Sequence, residues 1–296
     1  MFFRCYLSKA NFFIKIVLLG FLLCFKAVAL DTKIPVSEEE WNKAYTSLNW
    51  KEGPSLVNFN EANSKINISS DFSILEGKDA QQLLYWLNGV TFDYVSVYAI
   101  DDYSSQYTFY YTDSGYVKTD DWTDVDPNKF INDIKKNYKA SNETRKKNGQ
   151  PTVLNVSWKK KPYLDGVYNS VYYALNIQWS DNTSTTEGTA IILGREGYTT
   201  ASYVAGNNGY QEQLLLNLSK IHKFNATKEY KDWKSGDKIA AAGIGALLAS
   251  TLGIKAMKPG IIAAALLLLK KFWFIIFLPF IWLGKFFTGS SKKNKR

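Results

Sequence analysis

Residues 167–205 read VYNSVYYALNIQWSDNTSTTEGTAIILGREGYTTASYVA and carry the clearest strand pattern of the chain. Within residues 167–179, one set of side chains at every second position is apolar, namely Val171, Tyr173, Leu175, Ile177 and Trp179. The residues between them are Tyr172, Ala174, Asn176 and Gln178, so the segment predicts a strand with two distinct faces. Two further runs, Thr186–Leu193 and Tyr198–Ala205, flank the sequence GREG and predict a hairpin with a tight turn. Successive strands joined in this way favour an antiparallel sheet.

Shorter strands and a few helices surround this part of the sequence. Runs of β-branched and aromatic residues predict further strands at Ser55–Asn60, Ser64–Ser69, Tyr107–Tyr111 and Val153–Lys159. Apolar residues at helical spacing predict helices at Lys78–Asn88, 127–147 and Tyr210–Lys220. Asp126 and Pro127 form a favoured start for the second helix, and Asn207 or Asn208 is expected to cap the third. We therefore predict one α+β domain, an antiparallel sheet with flanking helices, in an order that fits a Mog1/PsbP-like sheet.

The two ends of the chain carry patterns of membrane targeting. Residues 1–29 combine basic residues, a short apolar core and a small-x-small end, and so predict a cleaved signal peptide. Residues 239–254 and 261–283 are apolar and a basic tail follows, which predicts a C-terminal membrane helix region within 235–296. A single crossing would leave the basic tail in the cytoplasm, and a helical hairpin is the alternative. The exported domain is then 30–234.

Charge and cysteine content weigh against several classes of function. The net charge is +9, but the basic excess lies at the two ends, and Leu30–Asp237 is net acidic, so a nucleic-acid partner loses its support. Cys5 and Cys24 both lie in the signal peptide, which leaves the mature chain without thiol chemistry. His222 is the only histidine, so the usual zinc sites are excluded, and its expected role is to complement the negative end of the last helix.

Two constellations remain as candidates for chemistry. Ser235 and Lys238 have the spacing of a Ser–Lys hydrolase, although the same residues suit a loop and helix start at a membrane surface. Asp120, Asp121 and Asp124 could hold a cation, but carboxylates at this place also stabilise the positive start of the helix that follows. The structural explanation is favoured for both, and we predict no catalytic residue, no metal and no cofactor.

Several short motifs occur in order along the chain, namely DSGYVKTDD at 113–121, KPY at 161–163, LGREG at 193–197 and GDKIAAAGIGAL at 236–247. Together they resemble the DUF2167 family of predicted membrane-anchored bacterial proteins, although the loop at 88–93 lacks a proline of the family pattern. The resemblance implies the membrane topology and leaves the chemistry open. It also selects a candidate functional surface, which comprises Asp113, Ser114, Gly115, Tyr116, Asp120, Asp121, Asn142, Arg145, Trp158, Tyr163, Gly194 and Arg195.

These observations favour a non-enzymatic envelope protein. Its exported domain would lie at the periplasmic face of the bacterial inner membrane, contact lipid through residues 239–284, and bind or scaffold an envelope protein partner. A membrane-proximal hydrolase and an accessory subunit of a transporter are the alternatives.

Overall fold

In a computed structural model of this chain, the structure describes residues 30–89, 91–101, 105–206 and 209–250. The predicted signal peptide and the second apolar stretch lie outside these residues. The described strands are β1 Lys51–Glu52, β2 Ser55–Phe59, β3 Ser64–Ile68, β4 Phe72–Glu76, β5 Val97–Asp101, β6 Gln106–Thr112, β7 Val153–Asp165, β8 Ser170–Trp179, β9 Ser184–Leu193, β10 Tyr198–Ala205 and β11 His222–Phe224. The described α-helices are α1 Glu38–Ser47, α2 Gly77–Asn88, α3 Pro127–Lys147, α4 Glu212–Ile221 and α5 Ile244–Ser250.

A large antiparallel sheet forms the centre of the fold. Its strand order is β1-β4-β5-β6-β10-β9-β8-β7, and every neighbouring pair is antiparallel. The predicted hairpin is present, with Tyr198 opposite Leu193, and β9 pairs on its other side with β8. The α+β class with a large antiparallel sheet and flanking helices is therefore confirmed.

A second, smaller sheet covers one face of the large one. It has the order β11-β3-β2 and packs together with α4. Every second residue of β8 points into this layer, so Tyr172 and Ala174 are fully buried beside Phe109 and Tyr203 of neighbouring strands. The strict alternation of the sequence thus corresponds to two buried faces, because the other set of β8 side chains packs on the opposite side.

Helices cover the opposite face of the large sheet. Val171, Tyr173, Leu175 and Ile177 of β8 pack in a cluster to which α3 and α5 contribute. At the far end of the sheet, α2 packs over β4 and β5. The two helical covers meet where the Nδ2 of Asn148 donates to the carbonyl of Gly89, at 3.4 Å.

The start of α3 confirms one local prediction and the start of α4 corrects another. The Asp126 carboxylate accepts the amide of Asn128 at 2.8 Å, and Pro127 is the first helical residue, as the sequence predicts. The expected cap of the last helix at Asn207 or Asn208 is wrong, because the helix begins later and its N-cap is Gln211. The Tyr203 hydroxyl donates to the carbonyl of Gly209, a short distance before this N-cap.

The packed structure continues beyond the predicted domain boundary at residue 234. Ile244, Leu247 and Leu248 follow helical spacing in α5 and are buried in the same cluster as Phe130 and Ile134 of α3. Each fully buried side chain of this size contributes about 1.5–3 kcal/mol. Within the described ranges, none of the helices has the length and apolar character that a membrane crossing requires.

His222 has a different environment from the one expected. It begins β11 opposite Ile66, and its ring is 2% exposed between Phe59 and Phe224. Burial lowers the pKa of the imidazole to about 3, and Nε2 lies 3.0 Å from the Thr199 hydroxyl. The proposed role as a cationic partner of a helix end is therefore wrong, because the desolvated ring stays neutral at ordinary pH.

This neutral histidine makes stability depend on pH. Below pH 6.5 the unfolded chain takes up a proton at His222 that the folded chain refuses until about pH 3, so the stabilisation is complete above pH 6.5 and falls as pH falls through this window. Between pH 7 and pH 5 we expect a loss of about 2 kcal/mol from this group. Urea unfolding of the wild type and of His222→Leu at both pH values measures it. Equal pH dependence in the two proteins would contradict the assignment.

Candidate functional site

Most of the predicted surface residues lie at one end of the large sheet, where β6 ends and β10 begins. They surround residues 234–248, the segment that leads to the second apolar stretch. We call this contact the C-terminal joint and define it as residues 112–121, 194–197 and 227–233 together with 234–248. The predicted surface residues within it are Asp113, Ser114, Gly115, Tyr116, Asp120, Asp121, Gly194 and Arg195.

Backbone hydrogen bonds hold the C-terminal segment in the joint. The amide of Tyr116 donates to the carbonyl of Lys238 at 2.8 Å, and the amide of Ala240 donates back to the carbonyl of Tyr116 at 2.9 Å. Further along, the amide of Ile244 donates to the carbonyl of Lys118 at 3.1 Å. Tyr116 and Ile239 thereby form a parallel β-bridge, so the segment is added to the domain as an extended strand-like piece.

Gly115 allows this close approach. Its φ of +88° favours glycine, and a Cβ there would lie 2.7 Å from the carbonyl oxygen of Lys238. Its own amide donates to the carbonyl of Glu196 at 2.9 Å, and the Ser114 hydroxyl donates to the Gly115 carbonyl at 2.9 Å. Gly115 thus admits a second backbone at this point of the DSGYVKTDD motif.

A bidentate ion pair crosses the joint. Arg195 Nε lies 2.7 Å from Asp237 Oδ2, and Nη2 lies 2.8 Å from Oδ1. Arg195 Nη1 also donates to the carbonyl of Thr227, and the amide of Lys234 donates to Asp237. The hydrogen bonds from Arg195 lower the pKa of Asp237 to about 2, and those to Asp237 raise the pKa of Arg195. Both groups stay charged near neutral pH, so the pair fixes position and is unsuited to proton transfer.

Aromatic rings close one side of the joint. The rings of Tyr116 and Tyr230 stack with centroids 4.4 Å apart, and Trp233 lies 5.3 Å from Tyr116. The Tyr230 hydroxyl donates to the carbonyl of Val117 at 2.8 Å. Trp233, which the sequence analysis did not connect with any other residue of the domain, therefore packs on a residue of the DSGYVKTDD motif. It is 37% exposed.

Asp121 binds the start of α5 instead of the start of α3. Its Oδ1 accepts the amide of Ile244 at 3.0 Å, and its Oδ2 lies 3.4 Å from the amide of Gly245. A Cβ at Gly243 would lie 2.3 Å from Oδ2, so the glycine is needed for the contact. The expected role of this carboxylate at helix 127–147 is therefore wrong, because a later helix start takes it. Asp120, its neighbour, is exposed.

The four remaining surface residues lie away from the joint. Asn142 exchanges two hydrogen bonds with the backbone of Val153, at 2.8 and 2.9 Å, and so acts as a strand partner for the start of β7. Arg145 donates to the carbonyl of Pro151. Trp158 packs on Phe130 of α3, and Tyr163 stacks on Tyr172 on the other face of the sheet, so these residues do not form one site.

The residues considered for hydrolysis and for a cation are placed differently from what those functions need. Lys238 Nζ lies 3.3 Å from Asp113 Oδ1, in an exposed pair that contributes little to stability, while Ser235 is exposed. In the part of the chain that the structure describes, no three His, Cys, Asp or Glu side chains are grouped so that they could hold a metal ion.

Sequence reasoning missed half of the joint. Asp237 contacts Arg195 and Tyr230 stacks on Tyr116, yet Asp237 falls in 235–296, which the sequence assigned to the membrane anchor, and no motif drew attention to Tyr230. One signal was available, since LGREG contains a cation, Arg195, GDK contains an anion, Asp237, and both belong to the motif set. Arg195 and Asp237 are 42 positions apart, so no helical or strand periodicity in the sequence could predict their ion pair.

Comparison with known protein families gives one match for this chain. The model of a family described as "Protein of unknown function (DUF2167)" matches residues 51–281. Among curated proteins no match was found. A solved structure that resembles the chain is the solution structure of cyanobacterial PsbP (CyanoP) from Synechocystis sp. PCC 6803, at 11% identity and a TM-score of 0.33, covering 60% of this chain and 92% of that one.

Gly115→Ala tests whether the joint depends on the close approach of two backbones. Gly149 provides a matched control, because its φ is +67° but nothing lies within 4 Å of an added Cβ. Both substitutions carry the backbone strain of about 1–3 kcal/mol, and only Gly115→Ala adds a collision of about 1–3 kcal/mol. We expect amide exchange over 238–248 to accelerate about tenfold or more in Gly115→Ala alone, as measured by mass spectrometry. Equal rates in the two variants would contradict this reading.

Arg195→Lys tests the ion pair separately. Lysine keeps the charge but cannot make two parallel hydrogen bonds to Asp237, so exchange over 234–240 should rise several-fold. Lys136→Gln is the control, since its pair with Asp133 is exposed and lies on α3. If Arg195→Lys protects this segment as well as the wild type does, charge alone holds it.

Proposed function

We propose, for a chain that belongs to the DUF2167 family, that the protein is a membrane-anchored envelope scaffold whose exported domain is mounted rigidly on its C-terminal anchor. The domain would lie at the periplasmic face of the inner membrane and bind a protein partner there without catalysing a reaction. The observation that carries the proposal is the C-terminal joint. The family resemblance and the apolar C-terminal sequence supply the membrane part.

The joint supports this mounting because it holds residues 234–248, the segment that leads to the proposed anchor, on the surface of the domain. A domain that only needed to be retained at a membrane could hang from a flexible tether of polar residues. Here the chain is hydrogen-bonded at residues 238 and 240, capped at 244 and buried at 247 and 248. The position at which the chain leaves the packed domain is then fixed by the fold, which suits a protein that presents one surface in a fixed direction.

The proposed anchor is a C-terminal membrane helix after the joint, on a Mog1/PsbP-like domain. Ile244, Leu247 and Leu248 are buried against α3 and are unavailable to lipid, so the proposed lipid contact begins later than residue 239. Residues 261–283 then supply a single crossing, and the basic tail lies in the cytoplasm. This arrangement satisfies the preference of basic residues for the cytoplasmic side, whereas a hairpin would not.

Topology reporters test the anchor. A reporter fused after residue 258 should show a periplasmic location, and one fused after residue 296 should show a cytoplasmic location, because one crossing separates them. Two activities that respond oppositely to the compartment, such as alkaline phosphatase and a fluorescent protein, provide the internal control. A periplasmic location for residue 296 would contradict the single crossing.

Co-purification tests the need for rigid mounting. The tagged full-length chain, extracted in a mild detergent, should retain its partner in the wild type and in Gly149→Ala, and lose most of it in Gly115→Ala. Hydrogen exchange in β8–β10 must be the same in all three, which shows that the domain itself is folded. Retention of the partner by Gly115→Ala with a loosened joint would show that orientation is not required.

A further inference from the structure

A crevice lies on the helical face of the sheet, away from the C-terminal joint. It has a volume of about 290 Å³ and is bounded by α3 on one side and by β8, β9 and β10 below. We call it the Glu187 crevice. The lining residues that matter here are Tyr94, Tyr138, Tyr173, Glu187, Thr189 and Ser202. Its volume lies near the lower end of the range for small-molecule sites.

Glu187 places a carboxyl group in this crevice without a cation beside it. Oε2 accepts the hydroxyl of Tyr138 at 2.5 Å, and burial raises the pKa of Glu187. Among the described residues, no lysine, arginine or histidine lies within ion-pair distance of this carboxyl. A desolvated carboxylate with one hydrogen bond and no cation beside it is costly, so an ammonium group that enters the crevice is stabilised by pairing with it.

The nearest cationic side chain is engaged elsewhere. Arg145 influences Glu187 electrostatically, but its guanidinium carbon lies 4.4 Å from the centre of the Trp179 ring and its Nε donates to the carbonyl of Pro151 at 2.9 Å. These two contacts hold the guanidinium at the end of α3. The charge of Glu187 is therefore moderated from a distance and is not neutralised by contact.

Aromatic rings supply the rest of the recognition. Tyr94, Tyr138 and Tyr173 line the crevice, and Tyr94 is 51% exposed at its rim, with its ring 4.8 Å from Tyr110. Faces of aromatic rings attract organic cations, and groups of such rings bind quaternary ammonium ligands. A divalent metal ion would need more oxygen ligands with charge than this single carboxylate provides.

We infer that the Glu187 crevice binds a small organic ammonium compound, with the cationic head between the tyrosine rings and the Glu187 carboxylate. Thr189 and Ser202 offer hydroxyl groups to a polar substituent on the same ligand. This site is independent of the proposed scaffold function, because its residues lie outside the C-terminal joint.

Calorimetric titration of the full-length chain with choline chloride tests the inference. A maltoside detergent is required, since phosphocholine detergents carry the same head group as the probe. The neutral isostere 3,3-dimethyl-1-butanol has the same shape without the charge and should bind at least about tenfold more weakly, because the carboxylate and the rings recognise charge. Ethanolamine, as a primary ammonium probe, covers the case of a narrower crevice.

Variants assign the site. Glu187→Gln should weaken binding of the ammonium probe about tenfold or more, and Tyr138→Phe should weaken it less, because only the hydrogen bond that orients the carboxylate is lost. Glu143→Gln, an exposed position on the same helix, should bind as the wild type does. Thermal unfolding confirms that each variant is folded. The inference is overturned if neither ammonium probe binds, if the neutral isostere binds as tightly, or if a folded Glu187→Gln binds unchanged.

Discussion

The central strands of the large sheet are apolar on both faces, and this constraint organises everything else. In β8, Tyr172 and Ala174 face one side while Tyr173 and Leu175 face the other, and all four are buried. A sheet of this kind needs two covers, because either face left open would expose a continuous apolar surface to water. The small sheet with α4 supplies one cover. The other is assembled from separate helices, and it is complete only when α5 is in place.

The need for that second cover explains why the C-terminal segment belongs to the domain. α5 is too short to be stable as an isolated helix, and its three buried residues contribute about 1.5–3 kcal/mol each only when they pack on α3. The segment 234–248 must therefore be held so that α5 meets α3. The joint does this through the backbone pairing at Tyr116, the Arg195–Asp237 ion pair and the Asp121 carboxylate at the start of α5. Gly115 is required where the backbone of Lys238 passes, and Gly243 leaves room for the Asp121 carboxylate. Removing the joint would also uncover part of the sheet.

Local patterns predicted the sheet and the longest helix, but not the joint. The alternation in residues 167–179 and the helix start at Asp126–Pro127 depend only on residues close in sequence, so they can be predicted without knowledge of the tertiary structure. The apolar run that contains Ile244, Leu247 and Leu248 is ambiguous for a physical reason, since the same spacing suits a lipid-facing helix and one packed on protein. α1 was missed because its apolar stripe is short: only Trp41 and Ala44 pack on the core, and neither is fully buried. Arg195 and Asp237 meet only through the tertiary fold.

The same second cover also explains why a crevice exists on that face. α2 and α3 are supplied by different parts of the chain, and they meet at Gly89 and Asn148 instead of packing along their lengths. The strands between them are covered by side chains alone, and there the sheet carries Glu187, Thr189 and Ser202 in place of apolar residues. Partly buried polar side chains lower the stability of the fold unless they form hydrogen bonds or ion pairs. The motif residues of the C-terminal joint hold residues 234–248 on the domain, and Glu187 and Tyr138 are not among them. The proposed ammonium site is therefore built from residues outside the motifs that carry the family resemblance.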